Sequence, residues 1–256
     1  MISRRNTVFL LGGHDLEMLA IKSLLTSYGF NLVDRNLSWG ACVSAYADVF
    51  DTQDPMLAIY GIELKYDLEF NDRRYKAIDH HNNLSSMPSS LEQVASLIGH
   101  TLTREEELIA ANDRGYIPAM QKLGATKEQI DDIRLRDRKA QGVTGEEETL
   151  AKASIVKNLE TISDTTLIVK SLTSRFSAIC DRLFPYRRLL IYTDEEWVFY
   201  GDGKEKLVSE LTDKISAGLV YHGGGDYGYI GAAKRAFSPI EIKRFVETIK
   251  QRYERI

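Results

Sequence analysis

Tyr75-Lys76-Ala77-Ile78-Asp79-His80-His81-Asn82 is the stretch that decides the fold. A short run with a β-branched end gives way to a carboxylate and two imidazoles, then to the turn-forming Asn83-Leu84-Ser85-Ser86-Met87-Pro88. That order predicts a strand handing over to a loop, with a helix opening at Ser89 or Ser90. In an open α/β sheet, chemistry collects beyond the carboxyl ends of the strands. Imidazole and carboxylate gathered at such an end suit a divalent transition metal. A solvated polar turn accounts for the same residues, so the rest of the chain must separate the two readings.

Upstream, Thr7–Leu11 is an apolar run closed by Gly12-Gly13-His14-Asp15, which predicts a buried strand and a tight turn. Leu16, Leu19, Ala20, Leu24 and Leu25 then recur at helical spacing as far as Gly29. Phe30–Val33 predicts a second strand and Ala41–Phe50 a helix. Met56–Ile62 is a third apolar run, followed by Glu63. Strand alternating with helix is the rhythm of a parallel α/β sheet.

Downstream, a helix is expected from Ser89 or Ser90 to Gly99, and another from Thr103, where Glu106 completes a capping box. That second helix runs through Leu108, Ile109, Ala110 and Ala111 to Asn112-Asp113-Arg114-Gly115-Tyr116. Met120–Glu160 is charged and helix-favouring, and residues 141–165 are expected as a helical passage between domains. Beyond it, Thr165–Val169 predicts a strand and Arg188–Tyr192 with Glu196–Tyr200 a hairpin. A helix is expected over Lys204–Ile215, and a last one from Ser238-Pro239. The expected class is α/β: a parallel-sheet domain over residues 1–140 and a smaller α/β domain over 166–256.

With 256 residues, 43% hydrophobic and 27% charged, the composition is that of a globular protein. A net charge of −4 argues against broad capture of extended duplex nucleic acid. The two cysteines, Cys42 and Cys180, sit in no paired motif and suggest a reducing compartment, so the cytoplasm is the expected address. No apolar stretch reaches membrane-spanning length, and no membrane partner is expected.

Asp15 and Glu17 follow the first strand, Glu63 the third and Asp79 the fourth. Placed after strands of one parallel sheet, they would face the same crevice. Asp113 follows a helix. Asp79-His80-His81-Asn82, Asp113 and the early Asp15-Leu16-Glu17 together resemble the DHH phosphoesterase superfamily. That group contains RecJ-type exonucleases, inorganic pyrophosphatases and oligoribonuclease or cyclic-dinucleotide phosphodiesterases. Gly223-Gly224-Gly225 resembles the Gly-Gly-Gly-His signature of the family's C-terminal substrate-binding domain.

The resemblance implies one or two divalent ions, usually manganese. His80, Asp113 and Glu17 would hold one, Asp15 the other, and Glu63 would bridge them. Asp79 would orient the histidines, and His81 would meet the phosphate or help protonate the leaving group. Clustered carboxylates without a counter-charge cost roughly several kcal/mol per ion, which independently calls for cations. The chain departs from the pattern where Gly13 takes the family's first-motif His position, where Glu17 and Glu63 replace aspartates, and at Asp226. His14, one residue late, is a further candidate ligand.

Consecutive glycines let a backbone aim N–H groups at an anion. Gly223, Gly224, Gly225 and Asp226, with Lys234 and Arg235 supplying charge, are therefore the substrate-binding candidates. Tyr227 and Tyr229 are candidate stacking platforms. The expected activity is metal-dependent hydrolysis of a phosphoester in a small nucleotide or short oligonucleotide. The alternative is a degenerate nucleotide- or phosphate-binding regulator on the same scaffold, and a homodimer is compatible with either.

Overall fold

The computed structural model describes residues 2–254 except 39, 53, 70, 82, 83 and 225–227. The chain divides into two units, Met1–Gly142 and Val143–Ile256.

In the first unit, Thr7–Leu11 forms strand β1, buried along its whole length. Asp15 then caps helix α1 (Leu16–Ser27) by accepting the Met18 amide at 2.8 Å. Gly29, at φ +71°, turns the chain out of that helix. Strand β2 (Asn31–Val33), a 3-10 helix (Val43–Asp51), β3 (Ala58–Ile62) and β4 (Tyr75–Ile78) follow. All four strands run parallel in the order β2-β1-β3-β4. From β1 the chain moves one way to β2, then back past β1 to β3. Right-handed crossovers in opposite directions lie on opposite faces of the sheet, and a crevice opens between the loops after β1 and β3.

Gly12 lets those two loops meet. A Cβ there would lie 2.4 Å from the Ile62 carbonyl oxygen and 2.6 Å from that of Glu63. On one face of the sheet Val8, Leu10 and Ile59 pack with Val43, Tyr46 and Phe50 of the 3-10 helix. This segment was expected to be a regular helix. It kinks at Tyr46 (φ −117°, ψ 20°), whose ring is fully buried and whose hydroxyl donates to the Leu11 carbonyl at 2.5 Å. Packing and that bond override local helical preference.

Helices α2 (Ser90–Ile98), α3 (Arg104–Lys122) and α4 (Lys127–Ala140) pack against α1. Each starts at a capping box: Ser89 with Glu92, Thr103 with Glu106, Thr126 with Gln129. Helix α3 is broken at Gly115 and Tyr116, the latter at φ +59°, and Pro118 lies in the turn that follows. Asp113 is therefore held just ahead of a discontinuity.

The second unit opens with α5 (Gly145–Asn158) and β5 (Leu159–Ser163). Residues 141–165, expected as a passage, thus hold a capped helix and an edge strand of this unit's own sheet. The sheet continues through β6 (Thr166–Lys170), β7 (Arg188–Tyr192), β8 (Trp197–Gly201), β9 (Val220–Gly223) and β10 (Tyr229–Ala232). Its order is β5-β6-β7-β8-β10-β9, with β6 and β7 parallel and the other neighbours antiparallel. Ala151, Phe176 and Ile179 belong to one core cluster with Leu189 and Ile191, the latter two from β7. Ile168, Trp197 and Phe199 form another with Ile242, Val246 and Ile249 of α9 (Pro239–Tyr253). Helix α6 (Ser177–Leu183) precedes β7, and the helix expected over 204–215 is two pieces, α7 (Lys204–Glu210) and α8 (Thr212–Ser216). Between them Leu211, at φ −110°, ends one and starts the other.

The fold is therefore α/β, with an N-terminal parallel sheet and a smaller C-terminal α/β unit, as the sequence pattern predicts. Among the described residues no helix is long and apolar enough to cross a membrane.

Gly12→Ala is expected to destabilise the protein by roughly 1–3 kcal/mol, the usual cost of forcing atoms into a packed site. The measurement is the urea midpoint, and an unchanged midpoint would show that the two loops separate at no cost.

Candidate metal centre

The loops that leave β1, β3 and β4 place Glu17, Glu63 and His80 together, and α3 brings Asp113 to them. His80 Nε2 lies 2.6 Å from Asp113 Oδ2, 3.6 Å from Glu63 Oε1 and 3.7 Å from Glu17 Oε2. Glu17 is anchored through its other oxygen, which accepts the Leu91 amide of α2 at 3.1 Å. Glu63 is set by its backbone: its amide donates to the Ile78 carbonyl at 2.9 Å, and it sits at φ +53°. That left-handed conformation is unfavourable for a residue with a Cβ.

Asp79 serves the neighbouring histidine. Its Oδ1 accepts the His81 amide and faces His81 Nδ1, both at 2.9 Å. The tautomer with Nδ1–H donating to Asp79 is assigned from that contact. The two histidine rings lie 4.3 Å apart by centroid. The expectation that Asp79 orients both histidines thus narrows to a direct bond with His81, because the carboxylate folds back over its own loop.

Glu17 Oε2, Glu63 Oε1, His80 Nε2 and Asp113 Oδ2 are all buried and make no hydrogen bond of acceptable geometry, and the carboxylate oxygens all lie within 3.7 Å of His80 Nε2. The His80–Asp113 contact is short enough for an ion pair, but its angle does not make it a hydrogen bond. Orphaned buried acceptors around one nitrogen are what a cation satisfies. A ligand atom from each of Glu63, His80, His81 and Asp113 lies within 4.8 Å of the others, so this group could hold a metal ion.

Electrostatics describes the same cluster without a cation. Burial pushes the Glu17 carboxyl up, His80 pulls it back, and the charges of Asp113 and Glu63 push it up again, to about 8. Burial, then Asp113 and Glu63, hold the Asp15 carboxyl well above the ordinary range. Burial alone would lower His80, but the carboxylates of Asp113, Glu17 and Glu63 override it and favour the imidazolium. In the absence of a cation, burial and like charge favour the protonated forms of Asp15, Glu17 and His80.

Asp15 joins this group by charge, while its Oδ1 caps α1. His14 points elsewhere. It lines a pocket of about 860 Å³ with Tyr28, His100, Arg136 and Lys139. Among the described residues, the metal-compatible group includes neither His14 nor Asp15 nor Glu17, although Glu17 Oε2 lies 3.7 Å from His80 Nε2. The shift of one residue from the family pattern carries the imidazole to another surface.

In the second unit, Gly223 ends β9 and Gly224 sits at φ +70°, where a Cβ would lie 2.7 Å from Gly228 Cα. Asn82, Gly225, Asp226 and Tyr227 lie outside the described residues. Lys234 and Arg235 do not join the glycine turn. Tyr229 pairs with Gly223 and Ala232 with Val220, so residues beyond 232 leave the hairpin at its other end. A strand rises about 3.3 Å per residue, which puts them well over 10 Å from the turn. There they meet Glu195, at 3.4 Å for Lys234 and 2.9 Å for Arg235. The glycine turn instead meets Lys204, buried, whose Nζ donates to the Gly224 carbonyl at 3.0 Å. Sequence reasoning passed over Lys204 and the Leu91 amide. The only signal for the second was the capping box at Ser89, which marks a helix N-terminus with amides to offer.

No family model and no curated protein matches the sequence. Several solved structures are similar to that of this chain. A DHH-domain protein described as a member of the s1p family of ribosomal proteins matches with TM-score 0.51 and 12% identity, over 98% of this chain and 88% of that one. The chain has a DHH-type fold. The pGpG-specific phosphodiesterase PggH of Vibrio cholerae matches at TM-score 0.49 and 13% identity, over 96% and 98% of the two chains. The exonuclease RecJ bound to manganese matches at 0.42 and 10%, over 98% and 91%. In this chain's version of the DHH-type fold, the acid-and-histidine cluster lies at the switch point of the parallel sheet.

Two outcomes follow for metal-free protein. Glu17, Asp15 and His80 are all raised in the folded state, so each contributes stability below its unfolded value that is lost as pH rises. In chelator, the thermal midpoint should fall from about pH 5 to about pH 8, whereas manganese, which needs deprotonated ligands, should stabilise more as pH rises. A flat metal-free profile would contradict the charge assignment. Glu63→Asn removes a charge from the cluster and suits the left-handed backbone. It should raise the metal-free midpoint by about 2–4 °C and abolish the stabilisation by manganese, as differential scanning fluorimetry would show.

Proposed function

We propose that this chain is a divalent-metal-dependent phosphoesterase acting on a small nucleotide or a short oligonucleotide. The observation that carries the reading is the set of three buried, unbonded carboxylate oxygens, from Glu17, Glu63 and Asp113, gathered around His80 Nε2. The DHH-type fold supports it, since the cluster occupies the position where open parallel sheets place their chemistry.

In this reading His80, Asp113, Glu63 and Glu17 would hold a divalent ion, and Asp15 would be available to a second. One imidazole among several carboxylates is a donor set suited to manganese. A bound divalent ion supplies Lewis-acid activation of water and of a phosphoryl oxygen. The chain's own residues do the remaining work. Asp79 fixes the His81 ring through Nδ1, so that Nε2, when it also carries a proton, would donate to a phosphoryl oxygen or give that proton to the departing alkoxide. Burial of Glu17 and His80 keeps bulk water from screening the ligands. In the second unit, taken by itself, the Gly223-Gly224 turn is a candidate phosphate-binding element, beside which Lys204 donates to the Gly224 carbonyl and pairs with Glu205 at 3.0 Å.

The displaced His14 favours a second reading, a nucleotide-binding protein that does not turn substrate over. Product formation separates the two. Purified protein with manganese should hydrolyse at least one member of a panel of nucleotide phosphodiesters and monoesters. His80→Ala and Asp113→Asn should each lower kcat by at least about 100-fold, and chelator should abolish turnover until manganese is restored. Saturable nucleotide binding without product, unchanged in both variants, would replace the enzyme with the binding protein.

A further inference from the structure

Helix α4 reads in the sequence as a solvated charged helix, yet Arg134 and Asp137 on it are buried, at 9% and 6% exposure. Asp137 Oδ1 accepts the Leu16 amide of α1 at 3.3 Å, across 121 residues of sequence. Its Oδ2 accepts Arg134 Nη1 at 2.8 Å and Gln141 Nε2 at 3.1 Å. The same Arg134 Nη1 donates to Asn112 Oδ1 of α3 at 2.9 Å. Leu16 is flanked by Asp15 and Glu17, and Asn112 precedes Asp113. One ion pair therefore holds the backbone that presents the α1 carboxylates and the residue next to the α3 carboxylate.

The break in α3 gives this grip a purpose. The helix loses regular geometry at Gly115 and Tyr116, so Asp113 lies near the end of a stretch that its C-terminal half does not continue. The Arg134 guanidinium lies 4.7 Å from the centroid of the Tyr116 ring, and so it seats the chain on both sides of the break. Burying an ion pair is a poor way to gain stability, and a well-packed apolar pair serves as well or better. Holding separate helices at a fixed spacing is a better reason for its presence.

We propose that Arg134 and Asp137 are positioning residues of the metal centre, a single clamp that sets the distance of Asp15 and Glu17 from Asp113. The inference rests on the reading of that cluster as a metal site. Partners that orient metal ligands from behind typically cost 10–100-fold in metal affinity when changed.

Manganese binding to metal-free protein, measured from the free-ion signal in electron paramagnetic resonance, tests it. Asp137→Asn and Asn112→Ala should each weaken binding about 10–100-fold. Ile133→Val, a buried apolar change on the same helix, should lower the thermal midpoint and leave affinity unchanged. Should Asp137→Asn fail to fold, Asn112→Ala decides alone, because it leaves the Arg134–Asp137 pair intact. Parental affinity in a folded Asn112→Ala protein overturns the clamp, whatever its midpoint. Failure of the parent itself to bind manganese overturns both the clamp and the metal reading, whereas parental binding with unaffected variants overturns the clamp alone.

Discussion

Carboxylates brought face to face in a dry pocket repel one another, and something positive has to sit among them. Here Glu17, Glu63 and Asp113 converge on His80, and Asp15 adds its charge from the first turn of α1. Without a cation, burial and the neighbouring carboxylates favour the protonated forms of Glu17 and of the imidazole. Protons are a poor substitute because each satisfies one acceptor, while a divalent ion satisfies several at once. The rest of the first unit can be understood as the apparatus that forces this convergence. Gly12 draws two loops into contact, Leu91 fixes one arm of Glu17, and the backbone at Glu63 accepts a strained conformation.

The parts of this arrangement that could be read from the sequence are those encoded locally. Asp79-His80-His81 announces itself because a β-branched run ends at a turn, and Thr103 with Glu106 announces a helix start. Glu17, Glu63, His80 and Asp113, all named from the sequence, come together in space. Strand alternation alone would not have singled out Asp113, which lies on a helix; its place came from likeness to a known pattern. The misplacements share a cause, which is that neighbours in sequence need not be neighbours in space. Lys234 and Arg235 follow the glycine run closely, but a hairpin sends its two ends apart. His14 adjoins Asp15, yet one step along a turn redirects a side chain.

Tertiary contacts explain the remainder. Strand β5 was hidden because Leu159-Glu160-Thr161 is exposed at a sheet edge and lacks a buried stripe. Arg134, Asp137 and Lys204 resemble surface residues of charged helices, and only partners far along the chain make them internal. Long-range pairs of this kind have no local signature.

Several helices begin with the same short grammar, a hydroxyl residue followed three places later by Glu or Gln: at Ser89, Thr103, Thr126, Thr144 and Ser238. Boundaries written this way do not depend on what the neighbouring loops carry. Residues in the crevice can then differ widely between chains without disturbing where the helices begin. A fold shared with a DHH-domain protein at only 12% identity accords with boundaries set this way.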